Sequence, residues 1–151
     1  MNDEMHLFAA PSYPSHPHPT TMTQDSTHPE LSRDLHERAM DYAVRLAALY
    51  ARLPAGRDVL HFGMQALRAG TSVGAQLREG RRSRSRAEFI SKLESATQEA
   101  DEASFWLELL VRAGHLDEQM AKPIRMETDQ IIAMLVSAVR TAKRNAEGRS
   151  S

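Results

Sequence analysis

After residue 30, apolar positions recur in alternating steps of four and three, and this rhythm divides the chain into four stretches. In the first, Leu35, Ala39, Tyr42, Leu46, Leu49 and Leu53 form one stripe of an amphipathic helix. Ser32 suits its N-cap, and Pro54-Ala55-Gly56 ends it because proline cannot continue a helix. The second stretch runs from about Asp58 to Glu79, with Leu60, Met64, Leu67, Gly70, Gly74 and Leu77 on the expected core face and Gly80 as the expected C-terminal cap. A glycine inside a helix costs roughly 1 kcal/mol relative to alanine. Gly63, Gly70 and Gly74 therefore predict close approach of a neighbouring helix, across a surface that Ala66 and Ala69 also keep small.

The third stretch opens on Ser85-Arg86-Ala87-Glu88, a capping-box pattern. Phe89, Leu93, Ala96, Ala100, Ala103, Leu107 and Leu110 then hold the rhythm for about six turns until Gly114. The fourth stripe is Met120, Ile124, Glu127, Ile131, Met134 and Ala138, with Pro123 in a first turn and fraying from Asn145 to Gly148. No period-two alternation competes with these patterns. The expected fold is all-α: an antiparallel up-down-up-down four-helix bundle, since short connections make sequential helices neighbours.

The start of the chain has a different character. Residues 1–29 hold three acids, no Lys or Arg, and no apolar run longer than Leu7-Phe8-Ala9-Ala10. Such a segment buries too little apolar surface to offset its ordering entropy, so a disordered tail rich in Pro, His, Ser and Thr is expected over 1–29. The bundle is expected over 30–145 and a flexible end over 146–151. The tail lacks the basic start and hydrophobic stretch of a signal peptide, and no later segment has the length and apolarity of a membrane span. The chain's net charge is −1 and it contains no cysteine. A cytoplasmic location fits that composition.

Within the helical region the run TSVGAQLREGRRSRSRAEFISKLESATQEADEASFWLELLVRAGHL stands out. Its parts are Ser72-Val73-Gly74-Ala75, Glu79-Gly80, Arg82-Ser83, Glu88-Phe89, the stretch from Glu102 through Phe105, Trp106, Leu107 and Glu108 to Leu109, and Gly114-His115-Leu116. In this order and spacing they resemble the four-helix-bundle family of the 23S rRNA intervening-sequence proteins and, more distantly, the accessory proteins of diversity-generating retroelements. The resemblance covers roughly residues 39–144. It implies a small cytoplasmic bundle, usually a homopentamer, without established enzymatic activity. For the retroelement relatives it further implies binding to nucleic acid and to a reverse transcriptase.

Charge segregates where composition is nearly neutral. Up-down-up-down topology would bring Arg78, Arg81, Arg82, Arg84 and Arg86 to the same pole as Arg140, Lys143 and Arg144. Cations at a helix C-terminus are favoured by about 0.3 to 1 kcal/mol each, which accounts for Arg78, Arg81, Arg82 and the last group. It does not account for Arg84 and Arg86 at a helix N-terminus, which makes them the leading candidates for ligand contact. Three readings stand side by side: a nucleic-acid-binding pole, a solvated helix-end cluster without a ligand, and a surface for an acidic protein partner.

The apolar arcs of the third and fourth helices are wider than a lone bundle needs. Phe105, Trp106 and Leu109, with Ile132, Leu135 and Val139, are the expected contacts of a homo-oligomer, a pentamer by the resemblance, with Trp106 foremost. Catalytic signatures are lacking: no phosphate loop, no H-E-x-x-H and no G-x-S-x-G. The acidic run Glu94, Glu99, Asp101, Glu102 and Glu108 has no Glu-x-x-His partner, and His16 and His18 lie isolated in the tail. The reading is non-enzymatic, with no cofactor and no metal: a self-assembling adaptor for nucleic acid, or else a structural or protein-interaction module.

Overall fold

The computed structural model describes residues 33–148. Residues 1–32 and 149–151, which include the expected tail and the Ser32 cap, lie outside them. Four helices follow one another: α1 (Arg33–Tyr50), α2 (Arg57–Arg81), α3 (Arg86–Arg112) and α4 (Glu118–Glu147). Among the described residues there is no strand. Each helix packs on its neighbour in sequence, and α4 closes the ring onto α1.

Paired positions run in opposite senses along successive helices. Gly63 lies against Tyr50 and Leu53, Gly70 against Tyr42 and Leu46, and the carbonyl of Leu77 faces His36 Nε2 at 3.2 Å. Between α2 and α3, Lys92 meets Glu79, Arg68 meets Glu102, and Phe62 stacks on Trp106. From α3 to α4 the chain turns within five residues, and Lys143 reaches back to Glu94.

The predicted stripes of α1 and α3 are the buried ones: Leu35, Ala39, Tyr42, Leu46 and Leu49, and every position from Phe89 to Leu110. Helix α1 stops at Tyr50, short of the expected Leu53. Proline disfavours helical backbone at the residue before it. The chain therefore tightens ahead of Pro54 into i→i+3 bonds, Arg52 N–H to Leu49 O and Leu53 N–H to Tyr50 O.

Helix α2 corrects the sequence reading. Its core face is Val59, Gly63, Ala66, Ala69, Gly70, Val73 and Leu77, rotated away from the expected stripe, while Leu60 and Met64 are exposed. The small residues face inward because α1 approaches closely there. A Cβ at Gly70 would sit 1.9 Å from Leu46 Cδ1 and one at Gly63 2.2 Å from Leu53 Cδ1. Gly70→Val is therefore expected to lower stability by about 1 to 3 kcal/mol through overpacking; an unchanged urea midpoint would show that α1 simply moves aside. A Cβ at Gly74, by contrast, would meet nothing within 4 Å. Gly80 is not a cap: it lies inside α2, buried against Phe89 and Lys92.

The α3 cap follows its sequence signature, with Ser85 Oγ accepting from Glu88 N–H at 3.1 Å. The Glu88 carboxylate reaches one residue further back than a reciprocal box would, to the N–H of Arg84 at 2.9 Å. At the other end Gly114 takes φ +74°, and the N–H groups of Gly114 and His115 bond to Val111 and Leu110. That is the Schellman arrangement, sealed by buried Leu116.

Helix α4 starts at Glu118 with Asp117 as N-cap, so Pro123 falls in the second turn rather than the first. Its buried face is Ala121, Ile124, Thr128, Ile131, Leu135, Ala138 and Ala142. Thr128 and Leu135 thus take the inward places expected of Glu127 and Met134.

Candidate nucleic-acid interface

The end of α2, the start of α3 and the end of α4 form one pole of the bundle. Three contacts tie them together: Lys92 Nζ to Glu79 Oε2 at 2.5 Å, Lys143 Nζ to Glu94 Oε1 at 2.7 Å, and the packing of Gly80 on Phe89. Around them stand Arg78, Arg81, Arg82, Arg84, Arg140 and Arg144, all exposed. Among the described residues Arg78, Arg81, Arg82, Arg84 and Arg140 enter no ion pair. Arg144 donates only to Thr141 Oγ1, at 3.5 Å. The lysines of this pole are neutralised within the chain; most of its arginines are not.

The two arginines singled out at the start of α3 differ. Arg84 is exposed and lies in the bend between helices. Arg86 is half-buried, its guanidinium carbon 5.9 Å from the centroid of the Phe89 ring, in a cation–π placement that fixes it to the core. Position along the chain groups them together. The i, i+3 spacing of Arg86 and Phe89 is the signal that separates them.

Of the expected subunit contacts, Phe105, Trp106, Leu109, Ile132 and Val139 keep exposed surface and Leu135 does not. Leu135 is wholly buried in the chain's own core, with no exposed surface, because α4 turns that position toward the bundle axis. Ile132 and Val139 are half-buried flanks of the same core. Trp106 is also half-buried: its ring stacks on Phe62 at 5.9 Å, Phe105 meets its edge at 5.2 Å, and Nε1 donates to Glu102 Oε1 at 3.2 Å. Phe105 remains 57% exposed and Leu109 partly so. Missed by sequence reasoning is the outward apolar face of α1 and α2, with Met40, Val44, Leu60 and Met64 exposed. Its signal in the sequence is the Leu60, Met64, Leu67, Gly74 stripe, which periodicity alone assigns to the core.

Three of the five acids in the α3 run, which could suggest a metal site, are held in separate ion pairs, while Glu99 keeps one buried carboxylate oxygen without a hydrogen-bond partner among the described residues. Glu94 binds Lys143, Glu102 binds Arg68 at 3.1 Å, and Glu108 binds Arg112. Glu127 takes Arg38 at 2.9 Å in a polar cleft between α1 and α4 that Asp34, Asp41, Tyr42 and Arg45 also line. Among the described residues no group of three or more His, Cys, Asp or Glu is placed to hold a metal ion, and no helix is long and apolar enough to cross a membrane. His16 and His18 lie outside the described residues.

Among the solved structures that match is a protein of unknown function from the S23 ribosomal protein family of Bacteroides thetaiotaomicron VPI-5482. It shares 34% identity with a TM-score of 0.67, covering 71% of this chain and 96% of that one. No curated protein matches the chain. The family model of the 23S rRNA-intervening sequence protein matches residues 33–137, which takes in α1, α2, α3 and most of α4. With more than half its length matched, the chain belongs to the 23S rRNA-intervening sequence protein family.

Proposed function

We propose that this protein is a non-enzymatic, self-assembling adaptor of the cytoplasm whose arginine pole binds the phosphate backbone of nucleic acid. The observation that carries this reading is the set of exposed arginines at one pole, Arg78, Arg81, Arg82, Arg84 and Arg140, without an acidic partner among the described residues. Guanidinium forks suit phosphate oxygens, and several in one place give affinity through counterion release rather than through any single bond. Helix-end solvation explains cations at the ends of α2 and α4, but Arg84 precedes a helix N-terminus, where the dipole opposes it. The family's name refers to a 23S rRNA intervening sequence, which agrees with a nucleic-acid ligand. A nucleic-acid-processing partner, such as the reverse transcriptase implied for the more distant retroelement relatives, belongs with this reading. So does assembly into a ring, a pentamer by the same resemblance, which would repeat the pole around one rim.

A protein-interaction module is the second reading, and exposed Phe105 beside Trp106 and Leu109 favours it. Salt separates the two. Labelled RNA and DNA titrated at several salt concentrations are expected to bind with a steep slope of log K against log salt. Arg82→Ala/Arg84→Ala is expected to flatten that slope by roughly 2, since each phosphate of duplex DNA left without its arginine removes about 0.9 from it. A folded chain that binds neither nucleic acid at low salt would overturn the phosphate reading and leave the interaction module.

A further inference from the structure

The Phe, Tyr and Trp side chains of the described residues avoid the arginine pole. Tyr42 and Phe89 are buried in the core. The others gather toward the opposite end of the bundle: Phe62 stacks on Trp106, Phe105 meets the Trp106 edge, and Tyr50 packs against Gly63. At 1.5 Å per residue, Phe62 lies about 28 Å along α2 from Arg81, and Trp106 about 30 Å along α3 from Arg86. His36, near the end of α2, is half-buried with its Nε2 on the Leu77 carbonyl. The pole thus exposes guanidinia and, among the described residues, no Phe, Tyr or Trp ring beside them. Phe8 and Tyr13 lie outside those residues.

The arginines also stand in two groups. Arg78, Arg81, Arg82 and Arg84 follow the end of α2 into the bend, while Arg140 and Arg144 belong to the end of α4. Helices α2 and α4 do not pack on each other; they face one another across the bundle. With neighbouring axes about 8 to 10 Å apart, the diagonal axes stand about 11 to 14 Å apart. Between the two groups lie Glu79 and Glu94, each held by a lysine, so the centre of the pole is neutral.

We infer that the ligand of the arginine pole is a nucleic-acid duplex, held with the α2 group on one phosphate backbone and the α4 group on the other; this rests on the phosphate-binding reading above and names its ligand class. Proteins that hold single strands pair a basic groove with aromatic rings on which unpaired bases stack. A duplex keeps its bases stacked within itself and turns its backbones outward, so it needs no ring from the protein. Its two backbones flank a groove, about 12 Å wide for the major groove of DNA, and the two arginine groups flank a neutral centre on a similar scale. Each phosphate contact changes log K against log salt by about 0.9 on duplex DNA and about 0.7 on a single strand. Five contacts taken as equal at 1 M salt therefore favour the duplex by about tenfold at 0.1 M.

The full-length chain is titrated, by fluorescence polarisation at several salt concentrations, with a labelled RNA duplex, a DNA duplex, oligouridine and oligothymidine of one chain length. Two double variants accompany the wild type: Arg82→Ala/Arg84→Ala for the first group and Arg140→Ala/Arg144→Ala for the second. Arg140 and Arg144 are exposed positions of α4 where alanine favours helix, and circular dichroism checks that both variants fold. Both duplexes are expected to bind about tenfold more tightly than the unpaired strands at 0.1 M salt, and each variant to flatten the duplex slope by roughly 2. Oligouridine or oligothymidine bound as tightly as the duplexes would overturn the duplex inference and leave phosphate binding standing. A duplex slope that responds to the first variant and not to the second would overturn the two-backbone grip. A folded wild type that binds none of the four probes at low salt would overturn the phosphate reading itself.

Discussion

Phe89→Ala is expected to lower the stability of the bundle by about 3 to 5 kcal/mol, measured as a fall in the urea midpoint. The ring has no exposed surface, lies one turn into α3, and fills the space against Gly80 where α2 and α3 meet at the arginine pole. Truncation would remove its burial and leave a cavity flanked by helical backbone, which relaxes poorly. Against a typical domain stability of about 5 to 15 kcal/mol, that is a large fraction. The loss should extend to the site, because Arg86 packs over this ring and the Ser85 cap sits directly before it. Amide exchange in the segment from Arg82 to Glu88 is therefore expected to rise more than in the middle of α2. A stability change below about 1 kcal/mol would mean that the pole is not built on this side chain.

The same region shows what can be read from sequence and what cannot. The start of α3 is legible because a capping box and seven apolar positions in phase give one answer locally. Helix α2 reads out of register because its bulky residues, Leu60 and Met64, lie outside and its small ones, Gly63, Ala66, Ala69 and Gly70, lie inside. Hydrophobic size fails as a guide to direction where small residues of one helix make room for large side chains of the next, as Gly63 and Gly70 do for Tyr50, Leu53, Tyr42 and Leu46. In α4 the run from Ile131 to Val136 is apolar on every side, so periodicity cannot choose between Met134 and Leu135. Burial of Leu135 is settled by how α4 sits on α3 and α1.

The arginine pole is legible as an assembly of helix ends, since topology alone brings those ends together. Its charge balance is not. Lys92 and Lys143 find Glu79 and Glu94 across helix boundaries, in pairs that no local spacing marks. Arg84 and Arg86, two positions apart, receive opposite environments because only the second begins the helix and lies one turn before Phe89. The subtraction of these pairs is what leaves Arg78, Arg81, Arg82, Arg84 and Arg140 as the cations turned outward.

Alkaline pH should destabilise this protein through Tyr42. Burial pushes its phenol up from 10.0 to about 12; the hydrogen bond with Thr128 works against that rise, and the nearby Glu127 carboxylate adds to it. The folded chain thus keeps a proton that the unfolded chain releases. The associated stability is fully present below about pH 10 and is lost as pH rises toward 12, by about 1.4 kcal/mol per pH unit. Tyr42→Phe is expected to cost only about 1 kcal/mol at neutral pH, because Thr128 Oγ1 still has the Ile124 carbonyl at 2.9 Å. Thr128→Val should cost more, about 1 to 3 kcal/mol, since it leaves the buried phenol without its partner at 2.9 Å. Urea midpoints of wild type and Tyr42→Phe, followed from pH 8 to 12, are expected to converge just above pH 10 and then cross, because the roughly 2.7 kcal/mol lost over two pH units exceeds the difference of about 1 kcal/mol at neutral pH. Parallel curves would assign the alkaline loss to other groups and show that the α1/α4 seam opens readily enough to solvate Tyr42. That seam, where Arg38, Glu127 and Tyr42 meet, would then be the weakest join of the bundle rather than a buried lock between its first and last helices.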